Sequence, residues 1–577
     1  MTEPLRIGNA SGFYGDRFDA WREMLEGGQL DVLTGDYLAE LTMLILGRDR
    51  LKNPDTGYAK TFLRQMEDCL GLAVDRGVTI VANAGGLNPK GLADAIEKLG
   101  TGAKIGVVTG DDLGAIRGPE EELLAGIIGK PLTANAYLGA FGIAECLKAG
   151  ADIVVTGRVT DASLVVGPAA AHFGWARDDY DALAGATVAG HILECGAQAT
   201  GGNFAFFTEL PDRALHPGFP IAEIHADGRA VITKHPGTGG AVTTETITAQ
   251  LLYEIGAPQY LGPDVVTHLD SAVLTQGGID RVLVSGVRGT PPPATVKVGV
   301  NSLGGYRNAM TFILTGLDIE AKAALVREQL ERRVGADGLE SVLARVDRPD
   351  ADTEQAASAL LTVHIKDQDP ARAGRAFSQA AVELALASYP GLALTSPPGD
   401  ASPFGVFAAF DLPQDAVEHR AVRPDGTTRT IDPPPITATT SGKLSPHGPP
   451  EATTSGKLSP HGQPEATTSG KMPLGTVVGA RSGDKGGDAN IGVWARTDAA
   501  HEWLRGFLTV ERFKRLLPEA EPLDVERFEL PNLRALNFVV HGLLGEGVAA
   551  STRFDPQGKA LGEWLRSRIV DIPGDLL

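Results

Sequence analysis

The chain has 577 residues, is 43% apolar and 6% aromatic, and contains 72 Gly. That length predicts more than one domain, and the apolar content is enough for large cores, so the chain is not disordered as a whole. A formal charge of −20 repels polyanions, which makes nucleic acid and anionic membranes poor general partners, although a local basic site for a small anion stays open.

The start, MTEPLRIGNAS, has no charged segment leading into an apolar one, and stretches such as Leu41–Leu46 are too short to span a bilayer. A soluble, cytoplasmic protein is expected. Residues 5 to about 205 alternate strand and helix signals. Leu5–Ile7, Leu30–Leu33, Val78–Val81, Ile105–Val108 and Ile153–Val155 read as short strands buried on both faces. Helices are expected at Phe18–Glu26, Tyr37–Leu46, Tyr58–Arg76, Lys90–Leu99 and Asn135–Ala149. This pattern predicts an α/β fold, a mostly parallel sheet with helices on both faces.

All five strands end in small or polar residues. These are Asn9 and Ser11; Thr34 and Asp36; Asn83, Gly85 and Gly86; Thr109 and Asp111; then Thr156, Arg158 and Asp161. A parallel sheet brings such ends to one edge, where open α/β sheets bind ligands. Helix capping explains one or two polar ends more simply than five. Arg158 and Asp161, three residues apart, suit an anion and an acid or base. Asp36, Glu40, Asp111 and Glu194 are further carboxylates for the same edge. GNASGFYGDR lacks GxGxxG spacing, yet Asp36 sits where a ribose-binding acid would, so an NAD(P) oxidoreductase is an alternative.

A helix through Glu194 and Cys195 breaks at Gly201–Gly202–Asn203. Cys195 reads as a core residue, or as a nucleophile if a cation lowers its pKa. With Cys69 and Cys146 it forms neither a CxxC nor a Cys/His ligand set, so no disulfide framework and no metal site are expected. Residues 211–421 read as an α+β domain, with an Asp227-Gly228 hairpin and a helix at Asp318–Val334. Residues 422–473 read as a flexible linker, with ATTSGKLSPHG repeating every 14 residues from 438. The repeat accounts for His447 and His461 without a metal.

Residues 474–577 suggest a small ferredoxin-like α+β domain. Its loop RSGDKGGD, 481–488, carries Arg481, Ser482, Lys485 and three Gly between two strands. Such a loop suits an anion, and equally a salt-bridged hairpin. A single helix is expected at Ala500–Leu516.

The segments NASGFYGDR, LTGDYLAE, VANAGGLNPKG, VVTGRVTDAS, ECGAQATGGNF and KHPGTGGAVT resemble, in order, the N-terminal region of the acyclic terpene utilisation (AtuA-like) family. ARSGDKGGDANIGVWAR resembles its C-terminal ferredoxin-fold domain. The resemblance implies a setting in branched acyl-CoA metabolism, beside biotin-dependent carboxylases and enoyl-CoA hydratases, and leaves the catalytic residues open. The residues themselves suggest roles for a hydratase or lyase step on a CoA thioester. Asp161 or Glu194 would be acid or base, and Arg158 would hold a substrate carboxylate. Asn83, Gly85 and Gly86 would offer donors to the thioester oxygen. Asp36, Asp111, Gly202 and Asn203 would line the cleft. Arg481 and Lys485 would meet CoA phosphates, from this chain or a neighbouring subunit of a homo-oligomer, with Ser482 beside them as a further substrate-binding residue. No cofactor is expected beyond coenzyme A as part of the substrate. The alternative is a non-catalytic scaffold of a carboxylase or hydratase.

Overall fold

The computed structural model describes residues 3–115, 131–344, 351–434 and 470–577. The repeat between 438 and 469, with His447 and His461, lies outside the described residues.

The first strands are β1 Leu5–Asn9, β2 Val32–Gly35, β3 Thr79–Ala82, β4 Ile105–Thr109, β5 Thr133–Ala136 and β6 Ile153–Thr156, and all but β5 carry β-branched apolar residues. Five of them lie side by side in the order β1-β2-β3-β6-β4, all parallel. Their carboxyl ends therefore share one edge. Burial of β2 and β6 along their whole length matches a sheet covered on both faces. The helix Tyr180–Leu193 packs closely through its small residues; a Cβ on Gly190 would lie 2.7 Å from the Ala162 Cα.

The sheet does not stop at residue 210. β7 (Pro220–Ile224) pairs antiparallel with β1, and β8 (Ala230–Lys234) with β7. Strands Arg281–Ser285 and Val273–Gly278 extend that edge, while Arg420–Val422 and Thr428–Thr430 extend the other beside β4. Residues from the expected second domain and the start of the expected linker thus complete the first sheet.

The helix expected at Asn135–Ala149 is a strand followed by the helix Phe141–Lys148. Ala134, Asn135 and Ala136 pair with Val300, Gly299 and Val298, so tertiary pairing overrides local propensity. Their partner, strand Thr295–Thr315, is 21 residues long. Near Gly305, φ +125°, its register with strand Ser402–Pro413 shifts. Its outer half carries a lobe built around helix Ile319–Val334.

The C-terminal unit is a four-stranded antiparallel sheet in the order Val478–Lys485, Asp488–Ala495, Ala535–Val540, Val525–Leu530. Most of the expected RSGDKGGD loop is strand, because a Gly486-Gly487 turn, with Gly486 at φ +67°, closes a tight hairpin. The helix expected at Ala500–Leu516 is two helices, Asp498–Phe507 and Val510–Leu516, the second capped by the Thr509 side chain. No helix among the described residues is long and apolar enough to cross a membrane.

Candidate active site

The floor of the site is the turn after β6. Gly157 is required there, since a Cβ would lie 2.2 Å from Asp111 Oδ1. Asp111 accepts from the Arg158 backbone N–H at 2.8 Å and from Asn135 Nδ2 at 2.8 Å. Burial pushes its carboxyl up to about 7. The Arg158 guanidinium donates to the Leu38 carbonyl at 2.6 Å and to Asp161 Oδ1 at 2.9 Å, and stacks 4.1 Å above the Tyr137 ring. Its Nε has no partner.

Asp36 lies beside this pair. It accepts from Asn83 Nδ2 at 2.7 Å and from Leu38 N–H at 3.1 Å. Burial, then the charge of Asp161, raises its carboxyl well above the usual range. Asn83 is fully buried and also accepts from the Tyr37 N–H at 2.7 Å. The Gly86 N–H donates to the Asn83 carbonyl at 3.2 Å. The donors expected to meet a thioester oxygen at Asn83 and Gly86 are therefore engaged in shaping the turn. Gly85 serves close packing: a Cβ would meet the Thr156 carbonyl at 2.5 Å.

Glu194 closes the C-terminal end of helix Tyr180–Leu193. Asn9 Nδ2 fixes that end by donating to the Leu193 carbonyl at 2.5 Å. Glu194 Oε1 lies 2.8 Å from His191 Nδ1, while Oε2 is buried without a partner. Burial, then the charges of Asp161 and Glu254, raises Glu194 well above the carboxylate range. Burial pushes His191 down to about 4. Burial thus favours the uncharged form of both groups, a carboxylic acid against a neutral imidazole. Burial likewise keeps Cys195 a thiol.

The C-terminal hairpin enters the same site. Lys485 Nζ donates to the Glu254 carbonyl at 3.1 Å, and Asn490 Oδ1 accepts from the Glu254 N–H at 2.8 Å. Glu254 holds a left-handed backbone, φ +56°, which is strained for a non-glycine residue. Burial, then the charge of Asp484, pushes its carboxyl up to about 7. Asp484 itself is pushed up to about 6, by burial and then by Glu40. Lys297 Nζ is 3.5 Å from Glu40 Oε1 and 4.7 Å above the Tyr137 ring. Burial opposes the charge of Glu40, but Lys297 and Arg158 outweigh it and hold the group down at about 2. Side chains of Asp161, Glu40 and Lys297 keep 29%, 29% and 42% of their surface. Burial is the largest single influence on Glu40 and on Lys297, though neighbouring charges together outweigh it, so these exposed atoms line a recess and not the outer surface.

Arg481 is buried, with its guanidinium 4.4 Å above the Tyr253 ring and Nη1 3.3 Å from the Asn203 carbonyl. The Gly202 N–H bonds the Ala197 carbonyl at 2.9 Å, and Asn203 (φ +55°) turns its own carbonyl to Arg481. Ser482 Oγ donates to the Lys559 carbonyl at 3.1 Å and accepts from the Gly562 N–H at 2.9 Å, so it knits the C-terminal unit together.

The fold thus gathers Arg158, Asp161, Asp36, Glu194 and Lys485. It assigns Asn83, Gly85, Gly86, Asp111, Gly202, Asn203, Arg481 and Ser482 to holding the walls. Sequence reasoning missed Lys297, Glu254, His191, Tyr137 and Tyr260; the Tyr260 ring lies 5.3 Å from that of His191. A His three residues before Glu194 on one helix was a usable signal. Lys297 and Glu254 had none, as they sit in unremarkable strand and turn sequence. Among the described residues, no three His, Cys, Asp or Glu side chains converge as a metal shell.

Fold and site define an α/β protein whose carboxylate- and cation-lined recess is completed by a small C-terminal domain. Residues 5–423 match the family model described as acyclic terpene utilisation family protein AtuA, and residues 472–571 match the AtuA ferredoxin-like domain. The chain belongs to that family, which ties it to acyclic terpene utilisation. No curated protein and no solved structure matches it.

Proposed function

We propose that the protein is an enzyme of branched, terpenoid-type acyl-CoA metabolism that carries out a hydratase- or lyase-type step. The observation that carries this reading is the pairing of two unlike carboxyl groups in one recess. Glu194, whose acid form burial favours and whose Oε1 lies 2.8 Å from His191 Nδ1, serves as the proton donor. Asp161, held 2.9 Å from the Arg158 guanidinium, is its counterpart. A buried carboxyl and a partly exposed one, close enough for the charge of Asp161 to act on Glu194, suit acid–base chemistry.

In the hydration direction, Asp161 takes a proton from water while the water oxygen bonds to the β-carbon of an enoyl thioester. Glu194 then gives a proton to the α-carbon, and the reverse order eliminates water. Arg158 and Lys297 supply positive charge for a substrate carboxylate or the developing enolate oxygen. Coenzyme A enters as part of the substrate.

The test is direct. Purified full-length protein is incubated with branched 2-enoyl-CoA and 3-hydroxyacyl-CoA thioesters, and the conjugated-thioester absorbance is followed. A change that Glu194→Gln abolishes supports the reading. No turnover and no binding across the panel overturns it.

A further inference from the structure

A second recess, of about 380 Å³, lies at the seam between the lobe and the C-terminal domain. Its volume suits a small-molecule ligand. Its polar lining is rich in donors: Arg307 from strand Thr295–Thr315, His364 from strand Ser358–Asp367, and Ser551, Thr552 and Arg553 from the C-terminal domain. Arg307 donates to the Ala549 carbonyl at 2.8 Å, and among the described residues no carboxylate pairs with it. Arg553 pairs with Glu519 through Nη2, while its Nε is buried without a partner. Burial lowers the pKa of His364, which leaves a neutral ring able to donate one hydrogen bond. Asp400 is the acid of the lining, and Val548 and Pro556 give it an apolar wall.

The recess is connected to the active site by two elements. Ser402 of its wall and Phe407 are five residues apart on one strand, roughly 16 Å at the rise of an extended chain. The Phe407 ring lies 5.7 Å from Lys297 Nζ. The Phe407 N–H bonds the Glu546 carbonyl at 3.3 Å, and the Leu544 N–H bonds the Gly487 carbonyl at 2.9 Å. The segment from Leu544 to Arg553 therefore runs from the hairpin tip to the second recess. Arg481, stacked and buried beneath Tyr253, has no such outlook.

We propose that this recess, with Arg307 and Arg553, binds the phosphate-bearing nucleotide end of the substrate, an adenosine 3′,5′-bisphosphate group. The inference rests on the acyl-CoA reading, whose reacting end occupies the first recess. Two guanidinium groups and the Ser551 hydroxyl match the oxygens of a phosphomonoester, while the Thr552 hydroxyl donates to the Glu340 carboxylate at the rim.

Isothermal titration of the full-length protein with adenosine 3′,5′-bisphosphate, and separately with inorganic phosphate, tests it. The bisphosphate is expected to bind. Arg307→Gln and Arg553→Gln should each weaken it by about tenfold to a hundredfold, as expected for losing a hydrogen bond to a charged group. Glu194→Gln should leave that affinity unchanged. Thermal midpoints check folding, with Arg307→Lys as the substitute if the glutamine variant unfolds. No binding of the bisphosphate, unchanged affinity in both arginine variants, or equal affinity for inorganic phosphate overturns the assignment. Bisphosphate binding without turnover of any CoA thioester removes the chemistry and keeps this site. Turnover whose KM ignores Arg307→Gln does the reverse.

Discussion

Lys485 Nζ and the Glu254 carbonyl meet at 3.1 Å although they are 231 positions apart. This contact brings the C-terminal hairpin to the recess that the parallel strands open. It also places Lys485 within electrostatic reach of Glu194 and Lys297; burial, then Lys297, lowers its pKa. The candidate site is thus shared between the two family-matched regions of one chain.

Glu194→Gln removes the proposed proton donor while keeping the side-chain shape and an acceptor for His191. Turnover should fall by about a hundredfold to ten-thousandfold, the usual contribution of a general acid. Steady-state kinetics should place the loss in kcat, with thermal unfolding unchanged or slightly improved. A variant with full kcat would remove Glu194 from the mechanism.

Glu254 helps raise the pKa of Glu194 through its charge. If protonated Glu194 is the working form, activity falls as pH rises through its pKa. Glu254→Gln removes that negative charge, so the falling limb of the pH–rate profile should move to lower pH. Glu254→Gly should also relieve the left-handed strain at φ +56° and raise stability by about 1 kcal/mol. A chemical denaturation series measures this gain.

Burial of Asp111 makes stability depend on pH in a definite direction. Its carboxyl stands at about 7 in the fold against 3.8 for the ordinary group. A raised carboxyl favours folding most when protonated, so its contribution is full below pH 3.8 and is lost as pH rises towards about 7. Asp111→Asn keeps an acceptor for Arg158 and Asn135 but cannot ionise. The fall in melting temperature between pH 5 and pH 8 should therefore be smaller than in the natural protein, as calorimetry at the two values can read.

Two alanine substitutions separate docking from local propensity. A Cβ on Gly483 would lie 2.4 Å from the Tyr253 ring, so Gly483→Ala should push the hairpin off its seat. A loss of about 1–3 kcal/mol is expected, together with lost activity and faster proteolysis at the domain seam. Gly506, in helix Asp498–Phe507, has nothing within 4 Å of the added atom. Gly506→Ala should stabilise by about 0.5–1 kcal/mol and leave activity alone. Paired thermal and kinetic assays decide both.

Much of the first sheet was legible because short β-branched runs have few other uses. Ile153–Thr156 is buried at every position, and its polar continuation, Gly157 to Asp161, becomes the floor of the site. Asn135 was misread as helical because its pairing partner, Gly299, lies 164 residues on. Local propensity cannot report such a pairing. RSGDKGGD was misread as a loop because the sequence of a tight Gly-Gly hairpin resembles that of an open anion-binding turn.

By itself, the sequence determined the parallel strands, their common polar edge, the separate C-terminal unit and the family. These follow from patterns within a few residues of one another and from long colinear motifs. Only the tertiary structure decided which polar groups are braced and which stay buried without a partner. Asn83 and Asp111 became braces because their hydrogen bonds are taken up internally. Glu194 became a raised carboxyl because burial and two neighbouring carboxylates, distant in sequence, act on it together. Desolvation and charge act through space, and only the folded chain fixes those distances.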